Sequence, residues 1–207
     1  MSRPTSFFLG YHGCERDLVD ELIQGKKTLH PSKAKYHWLG KGAYFWEDDP
    51  LRALEWAIGR PAARALKNPT VVGAIIDPRN CLDLRVRENQ ELVRQAYDLL
   101  KAETASAGFE MPRNQEAPHD KSPDKVIRKL DYAVIDRLHA MIIENKWQQF
   151  DTVRSLFHEG SELYEGSGFW DKTHTEIAVL NDECIIGYFL PRMSLSIPMP
   201  LTSDGAT

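Results

Sequence analysis

The strongest fold signal in the chain is a run of β-branched and apolar residues from Thr70 to Asp77, TVVGAIID. Valine, isoleucine and threonine favour the pleated, packed surface of a sheet, so the run predicts a buried strand. Pro78 follows directly and is expected to end that strand, because proline cannot donate to the hydrogen-bond ladder.

The remaining elements alternate between strand and helix patterns along the chain. Apolar runs and alternating patterns predict further short strands at 7–12, 174–179 and 184–190, and residues 39–46 are expected to form a loop that enters another short strand. Helical spacing of apolar residues predicts helices at 15–24, 50–57, 88–101 and 124–147. Strands near both ends with helices between them predict an α+β fold.

The length of 207 residues, with 42% hydrophobic and 27% charged residues, is that of one large globular domain. We expect a single domain over 1–207, with a mostly helical insertion at about 85–160 and a tail at 194–207. The formal net charge of −4 argues against a surface that grips nucleic acid everywhere, but leaves room for a local basic patch.

Cysteine usage and hydropathy bear on the cellular setting. The three cysteines are odd in number, widely spaced and contain no CxxC pair, which favours a reducing compartment over a disulfide framework or a zinc site. No uncharged apolar run reaches the ~18 residues of a membrane span. The histidines show no ligand spacing such as HExxH. We therefore expect a cytoplasmic protein with no membrane partner and no metal.

The first candidate site motif is Tyr11-His12-Gly13, at the end of a predicted strand. A glycine there lets its backbone N–H and C=O approach a flat polar ligand without an intervening Cβ. Taken alone, the motif fits a core histidine followed by a turn glycine better. A nucleophilic pair of Cys14 with His12 is disfavoured, because this spacing matches no known signature.

The second motif is Leu39-Gly40-Lys41-Gly42-Ala43-Tyr44-Phe45. Its two glycines permit a tight turn, after which Tyr44 could stack on a planar ring while its hydroxyl stays in water. A simple β-turn leading into an aromatic core strand fits the same residues equally well.

The third candidate is Glu176, in the strand predicted at 174–179. Period-2 alternation places His174 and Glu176 on one face, opposite the apolar face that carries Ile177 and Val179. A lone strand carboxylate usually faces solvent. Glu176 becomes a candidate catalytic group only if a cleft covers it.

Taken in chain order, these three motifs resemble those of the ADP-ribosyltransferase superfamily. The nearer branch is that of the poly(ADP-ribose) polymerases and diphtheria-toxin-like enzymes, which carry a His-Tyr-Glu triad. The resemblance covers about residues 7–60 and 173–190, and residues 85–160 have no recognised counterpart. It implies two small, split antiparallel β-sheets with flanking helices, and NAD as the substrate in the cleft between them.

The resemblance also implies residue roles. His12 would hold the adenosine ribose, the Gly13 backbone the nicotinamide carboxamide, Tyr44 the nicotinamide ring, and Glu176 the nicotinamide ribose, with Glu176, His12 and Tyr44 as the catalytic triad. Lys41 and Tyr36 belong to the loop expected to run past the cofactor, where Lys41 could equally be solvated. The chain lacks the Ser-x-x-Tyr that the family carries after its tyrosine, and Trp56 is the expected substitute.

The implied reaction is transfer of single ADP-ribose units to a macromolecular acceptor, because no elongation site is recognisable. Arginine is disfavoured as the acceptor, since His174 stands where arginine-modifying relatives carry a second glutamate. Acceptor recognition is expected in the loop at 160–172, through Tyr164, Phe169 and Trp170, with His174 beside it. Such aromatics can stack on unpaired bases or enter a protein pocket, and we favour nucleic acid over protein.

A compact transferase without regulatory domains suits a toxin or an antiviral defence effector, controlled by an inhibitor or antitoxin protein. Three alternatives remain open at this point. They are an RNA 2′-phosphotransferase, against which Glu176 counts; an NAD glycohydrolase with water as acceptor; and an inactive module that binds NAD or ADP-ribose.

Overall fold

The computed structural model describes residues 6–31, 37–116, 125 and 127–192. The strands are β1 (Phe8–Glu15), β2 (Ala43–Glu47), β3 (Pro69–Ile76), β4 (Cys81–Asp83), β5 (Thr152–Phe157), β6 (His174–Val179) and β7 (Ile185–Phe189). The helices are α1 (Arg16–Ile23), α2 (Pro50–Ile58), α3 (Arg87–Ser106) and α4 (Lys129–Glu144), with short 3₁₀ turns at Ala62–Arg64 and Asp182–Cys184. The predicted α+β class is confirmed.

The seven strands form one sheet in the order β4-β5-β6-β2-β1-β3-β7. Neighbouring strands are antiparallel except for the parallel pair β4 and β5. The paired region is short between β1 and β2, whose paired residues are Gly10–Glu47 and Tyr11–Trp46. From His12 onward β1 leaves β2 and continues alongside β3 to its end. The two sheets implied by the resemblance are therefore joined into one, and a gap opens where β1 and β2 diverge.

The first hydrophobic core lies on one face of the sheet, beneath α1. It includes Val19 and Leu22 of α1 together with Phe45, Ile76 and Ile177 from the strands, all of them fully buried or nearly so. The apolar face predicted for the strand at 174–179 therefore packs into this core.

The opposite face of the sheet is covered by α2 at one end and by α3 and α4 at the other. A small core joins Trp46 to Ala53 of α2, and a larger one joins Ala178 and Val153 to Leu138 of α4. Residues of β2 alternate accordingly, since Phe45 belongs to the first core and Trp46 to the core under α2. The candidate site lies on this second face, between the two groups of helices.

Several predicted elements agree closely with the structure. The strand at 174–179 has the predicted bounds, and α2 extends one residue beyond its predicted end. α3 is longer than predicted, because no helix breaker precedes Gly108, which adopts a φ of +72°. α4 is shorter than the predicted 124–147; residues 117–124 and 126 lie outside the described part of the chain, as does the predicted tail at 194–207.

The expected helical insertion at 85–160 is corrected at its C-terminal end. Residues 152–157 form β5, which pairs along its whole length with β6 and so belongs to the sheet. Val153, Ser155 and Phe157 are buried in alternation, but Arg154 between them obscures the apolar pattern. Among the described residues of this stretch, the helical part consists of α3 and α4. None of the helices in the described ranges combines the length and apolarity needed to cross a membrane.

Candidate active site

A cavity of about 170 Å³ lies where β1 and β2 diverge. Its lining includes five residues that the sequence singles out, from β1, β2, α2 and β6: His12, Tyr44, Trp56, His174 and Glu176. The three members of the predicted triad are thus brought together from three separate motifs. Cavities of ~150 Å³ hold a benzene ring, so this one has room for a single six-membered ring.

His12 is oriented by the backbone of β2. Its Nδ1 lies 2.8 Å from the carbonyl oxygen of Tyr44. A carbonyl can only accept, so Nδ1 carries the proton and Nε2 is a hydrogen-bond acceptor in the neutral ring. Burial lowers the pKa of His12, and the positive charge of Arg60 acts in the same direction. The imidazole is therefore neutral at pH 7, with Nε2 ready to accept from a hydroxyl.

Glu176 is held by a residue that the sequence does not single out. The indole N–H of Trp38 donates to Oε2 of Glu176 over 2.5 Å. The side chain of Glu176 is only 15% exposed and lines the cavity, so a cleft does cover it. Trp38 is itself packed against Phe157, with the guanidinium of Arg128 over both rings. The carboxylate of Glu176 is consequently held by the indole N–H of a tryptophan whose ring is itself held by packing.

His174 lies next to Glu176 in the same cavity. Its Nδ1 donates to the carbonyl oxygen of Lys172, 2.7 Å away, which leaves Nε2 as an acceptor in the neutral ring. Nε2 is buried, has no hydrogen-bond partner among the described residues, and lies 3.5 Å from Oε1 of Glu176. Two neighbouring acceptors favour a ligand that donates hydrogen bonds, such as a sugar hydroxyl.

Tyr44 contributes its ring to the cavity, but its hydroxyl is not in water as the sequence led us to expect. The hydroxyl donates to the carbonyl oxygen of Gly40 and accepts from the N–H of Leu39, both at 2.9 Å. These bonds tie the ring to the glycine loop that precedes β2. His37 contacts the ring edge to face, with centroids 4.7 Å apart. Burial raises the pKa of Tyr44 far above its usual value, so the hydroxyl stays protonated.

The wall on the α2 side combines aromatic and charged groups. Trp56, the expected substitute for the missing tyrosine, lines the cavity and packs against Trp46 with centroids 5.6 Å apart. Arg52, one turn earlier on α2, pairs with Glu159 over 2.5 Å. The pair joins α2 to the segment that follows β5, and both side chains line the cavity.

Gly13 does not line the cavity, and its missing side chain has a packing explanation. A Cβ at this position would lie 2.2 Å from the carbonyl oxygen of Ala53 and 3.0 Å from the Cβ of Ala57. The glycine is therefore required by the close approach of β1 to α2. Its predicted backbone contact to a carboxamide stays a prediction.

The structure does not bring Lys41 to the cavity. Its Nζ pairs with Asp136 of α4 over 2.7 Å, and its side chain lines a different pocket beside α4. The prediction that Lys41 contacts the cofactor is thus not supported by its position. Tyr36, the other predicted cofactor residue in this loop, lies outside the described residues, together with Lys33 and Lys35.

The predicted acceptor loop at 160–172 is a small structured excursion between β5 and β6. Glu162 and Trp170 form an isolated β-bridge, and the N–H of Leu163 bonds to the carbonyl of Phe169. The side chains of Phe169 and Tyr164 are 67% and 62% exposed, whereas Trp170 is partly buried. The loop therefore presents two aromatic side chains to solvent, and His174 alone of the predicted acceptor residues reaches the cavity.

The cysteines take no part in the site. Cys14 is buried in the first core, and burial raises the pKa of its thiol to about 11, which disfavours a nucleophilic role with His12. Cys81 and Cys184 are also free thiols. Within the described ranges, no group of three or more His, Cys, Asp or Glu side chains is arranged to hold a metal ion.

Sequence reasoning did not single out the other six lining residues, which are His37, Trp38, Trp46, Arg52, Phe157 and Glu159. The signal that could have found Trp38 is its place directly before the glycine loop. Arg52 occupies the stretch of α2 in which the resemblance implies a Ser-x-x-Tyr. Phe157 is the last residue of β5 and Glu159 lies just after it, and the sequence did not predict this strand.

Comparison with known proteins adds a partial relative. No protein-family model and no solved structure matches the chain. The chain is 32% identical over 94 residues to an uncharacterized protein from Methanocaldococcus jannaschii. The match covers 44% of this chain and 43% of that protein, so it spans less than half of the relative's length.

Proposed function

We propose that this protein is a mono-ADP-ribosyltransferase, which cleaves NAD and transfers one ADP-ribose unit to a macromolecular acceptor. The observation that carries the proposal is the meeting of His12, Tyr44 and Glu176 on one small aromatic cavity. They come from three motifs far apart in the chain, and the cavity has the size of the ring that would leave.

The chemistry requires a group that stabilises positive charge. When the bond from ribose C1′ to the nicotinamide nitrogen breaks, neutral nicotinamide leaves and the ribose becomes oxocarbenium-like. A fixed carboxylate interacts more strongly with that developing charge than with the ground state, and exclusion of water strengthens the effect. Glu176 has the required properties, since it is largely buried and held by the N–H of Trp38. The acceptor nucleophile then bonds to C1′ and releases its proton.

The arrangement of hydrogen-bond acceptors also suits the hydroxyls of the two NAD riboses. His12 offers Nε2, His174 offers Nε2 in its neutral form, and Glu176 offers Oε1, so three acceptors line one cavity. Ribose hydroxyls are donors that would satisfy them. The aromatic rings of Tyr44 and Trp56 provide apolar walls for the nicotinamide.

For the acceptor, we favour nucleic acid over protein. Phe169 and Tyr164 are exposed on the loop that leads into β6 and so into the strand of Glu176. Exposed aromatics can stack on unpaired bases at about 1–3 kcal/mol each. We also infer a cytoplasmic location, which the three free cysteines support.

The test of the proposal is nicotinamide release from NAD by wild-type protein and by Glu176→Gln. The substitution keeps shape and removes charge, and we expect turnover to fall by about 10²–10³. Glu183→Gln is the matched control, because Glu183 is exposed and pairs with Arg79 at the surface. Equal turnover in wild type and Glu176→Gln, with both proteins folded, would contradict the proposal.

Labelled NAD identifies the acceptor in the same material. Incubation with cell lysate, followed by separate protease and nuclease digestion, shows whether the label is on protein or nucleic acid. Release of free ADP-ribose without any labelled macromolecule would mean that water is the acceptor. A ladder of products on a denaturing gel would argue against single-unit transfer.

A further inference from the structure

A second cavity, of about 550 Å³, adjoins the first. The two share four lining residues, His37, Arg52, Trp56 and Glu159. The second cavity continues past the end of α2, along Gly59 and the turn that carries Arg64, to Lys172 on the opposite side. We call it the outer chamber. A ligand whose ring fills the first cavity can extend into it.

The outer chamber has an excess of positive charge, although the whole chain has a formal net charge of −4. Its charged lining residues are the cations Arg52, Arg60, Arg64 and Lys172 and the carboxylates Glu55 and Glu159. Both carboxylates are engaged by Arg52, at 3.9 Å and 2.5 Å. Within the described part of the chain, no carboxylate lies within 4 Å of the charged groups of Arg60 or Lys172.

Arg60 is held against an aromatic ring. Its guanidinium carbon lies 5.0 Å from the centroid of the Trp56 ring, and the residue is partly buried. Stacking on an indole fixes the plane of the guanidinium and leaves its N–H groups available at the edge. Its charge also acts on His12, so the group lies within electrostatic range of both cavities. Trp56 lines both cavities and thus joins them.

We propose that the outer chamber binds the pyrophosphate of the dinucleotide, with Arg60 and Lys172 as its principal ligands. The planar guanidinium fork matches two phosphate oxygens, and the lysine adds a point charge from the facing segment. Lys41, the cation predicted for this task, is instead committed to Asp136. This inference rests on the proposed function for its ligand, but the anion site itself can be tested separately.

The test measures binding of ADP, inorganic pyrophosphate and adenosine by titration calorimetry. The variants are Arg60→Gln, Lys172→Gln and the double variant, with Arg87→Gln as control, because Arg87 is exposed at the start of α3 and lines neither cavity. We expect ADP and pyrophosphate to bind about tenfold more weakly in each single variant, because hydrogen bonds to charged groups are among the stronger ones. Adenosine, which has no phosphate, should bind equally to the wild type and to all four variants.

Kinetics give a second readout. A contact to the pyrophosphate is made equally in the ground state and the transition state, so Arg60→Gln should raise KM for NAD and leave kcat unchanged. Unchanged ADP affinity in the double variant would overturn the proposal, as would undetectable binding of ADP to the wild type. Weaker binding of a single-stranded RNA with unchanged ADP affinity would assign the cations to acceptor phosphates and overturn it too.

The failures of the two proposals are distinguishable. If Glu176→Gln abolishes nicotinamide release while the Arg60 and Lys172 variants bind ADP normally, the transferase stands and the pyrophosphate site is wrong. If nicotinamide release does not depend on Glu176 but ADP binding does depend on Arg60, the anion site stands and the transferase is wrong.

Discussion

The imidazole of His12 donates from Nδ1 to the backbone carbonyl oxygen of Tyr44, 2.8 Å away, at the point where β1 and β2 cease to pair. The side chain thus takes the place of a strand partner for that carbonyl. The same bond fixes the tautomer of His12, and it connects the end of the paired region of β1 to the residue whose ring lines the cavity. This one hydrogen bond therefore lies where the two strands diverge, and it also orients Nε2 of His12 as an acceptor.

Stability should depend on pH through His12. Because burial lowers its pKa, the folded ring stays neutral at a pH where the unfolded one, with a pKa near 6.5, takes up a proton. The unfolded state then binds more protons, so the contribution of His12 to the free energy of unfolding falls as the pH drops below 6.5 and is constant above it. Each such histidine contributes up to about 1.4 kcal/mol per pH unit in that window. Denaturant unfolding at pH 7.5, 6.5 and 5.5 measures this dependence.

The variant His12→Asn isolates the contribution of this histidine, because asparagine keeps a donor near Nδ1 but does not titrate. Burial also lowers the pKa of His37 and of His139, so the variant should retain part of the slope. Equal slopes in wild type and His12→Asn would mean that His12 does not stay neutral in the folded state.

Trp38→Phe should reduce turnover without loosening the fold. Phenylalanine keeps an aromatic ring against Phe157 and beneath Arg128 but cannot donate to Glu176. A hydrogen bond to a charged group is worth about 1.5–3 kcal/mol, so kcat for nicotinamide release should fall about 10- to 100-fold. KM for NAD should change little, because Trp38 acts through Glu176 as a positioning residue.

Trp147→Phe is the control for that experiment, since Trp147 is half-exposed just beyond α4 and lines none of the cavities described here. A rise in KM with unchanged kcat would show that Trp38 binds the substrate directly and does not position the carboxylate.

Tyr44 should be sensitive to loss of its ring more than to loss of its hydroxyl. Tyr44→Phe removes two hydrogen bonds to the glycine loop and leaves the N–H of Leu39 without its partner, which should cost about 1–3 kcal/mol of stability. Turnover should nevertheless stay within about tenfold of wild type, because stacking needs the ring. Tyr44→Ala should lose turnover by a much larger factor. Equal losses in two folded variants would show that the hydroxyl has a role in the reaction.

The exposed aromatics of the 160–172 loop should affect transfer but not NAD cleavage. Trp170 is partly buried and forms a β-bridge with Glu162, so it is left unchanged. The test uses the double variant Tyr164→Ala, Phe169→Ala, which removes the two exposed rings. We expect nicotinamide release to persist while labelling of RNA or DNA falls. Unchanged labelling would remove the loop from acceptor recognition, and label found only in protein would favour a protein target.

The sequence predicted those strands and side-chain directions that depend on local residue patterns. The strand from His174 to Val179 was predicted with its observed bounds, because its alternation matches a sheet with one face in a core. The same alternation placed Glu176 on the face that carries the cavity. β5 was missed because Arg154 interrupts its apolar pattern, and Arg154 is accommodated through contacts with other strands, including its pairing with Glu47 and Asp83.

Contacts between distant parts of the chain could not be predicted in this way. Trp38 donates to a carboxylate in β6, and nothing near Trp38 in the sequence indicates that partner. Lys41 fits a phosphate-binding loop by charge and position, yet Asp136 of α4 neutralises it. Gly13 is a different case. The sequence suggested that its missing side chain makes room for a ligand, whereas in the structure the close packing of β1 against α2 requires a glycine there.

The position of β6 between β5 and β2 has a consequence for the timing of activity during synthesis. Ribosomes extend chains at about 5–20 residues per second, and His12 and Tyr44 are made long before Glu176. A nascent chain that ends before β6 holds the imidazole and the tyrosine ring but has no carboxylate and no strand to join β5 to β2. Under the proposed function, such a chain cannot cleave NAD on the ribosome. Catalysis begins only when β6 inserts and completes the sheet, so activity and completion of the fold arise in the same step.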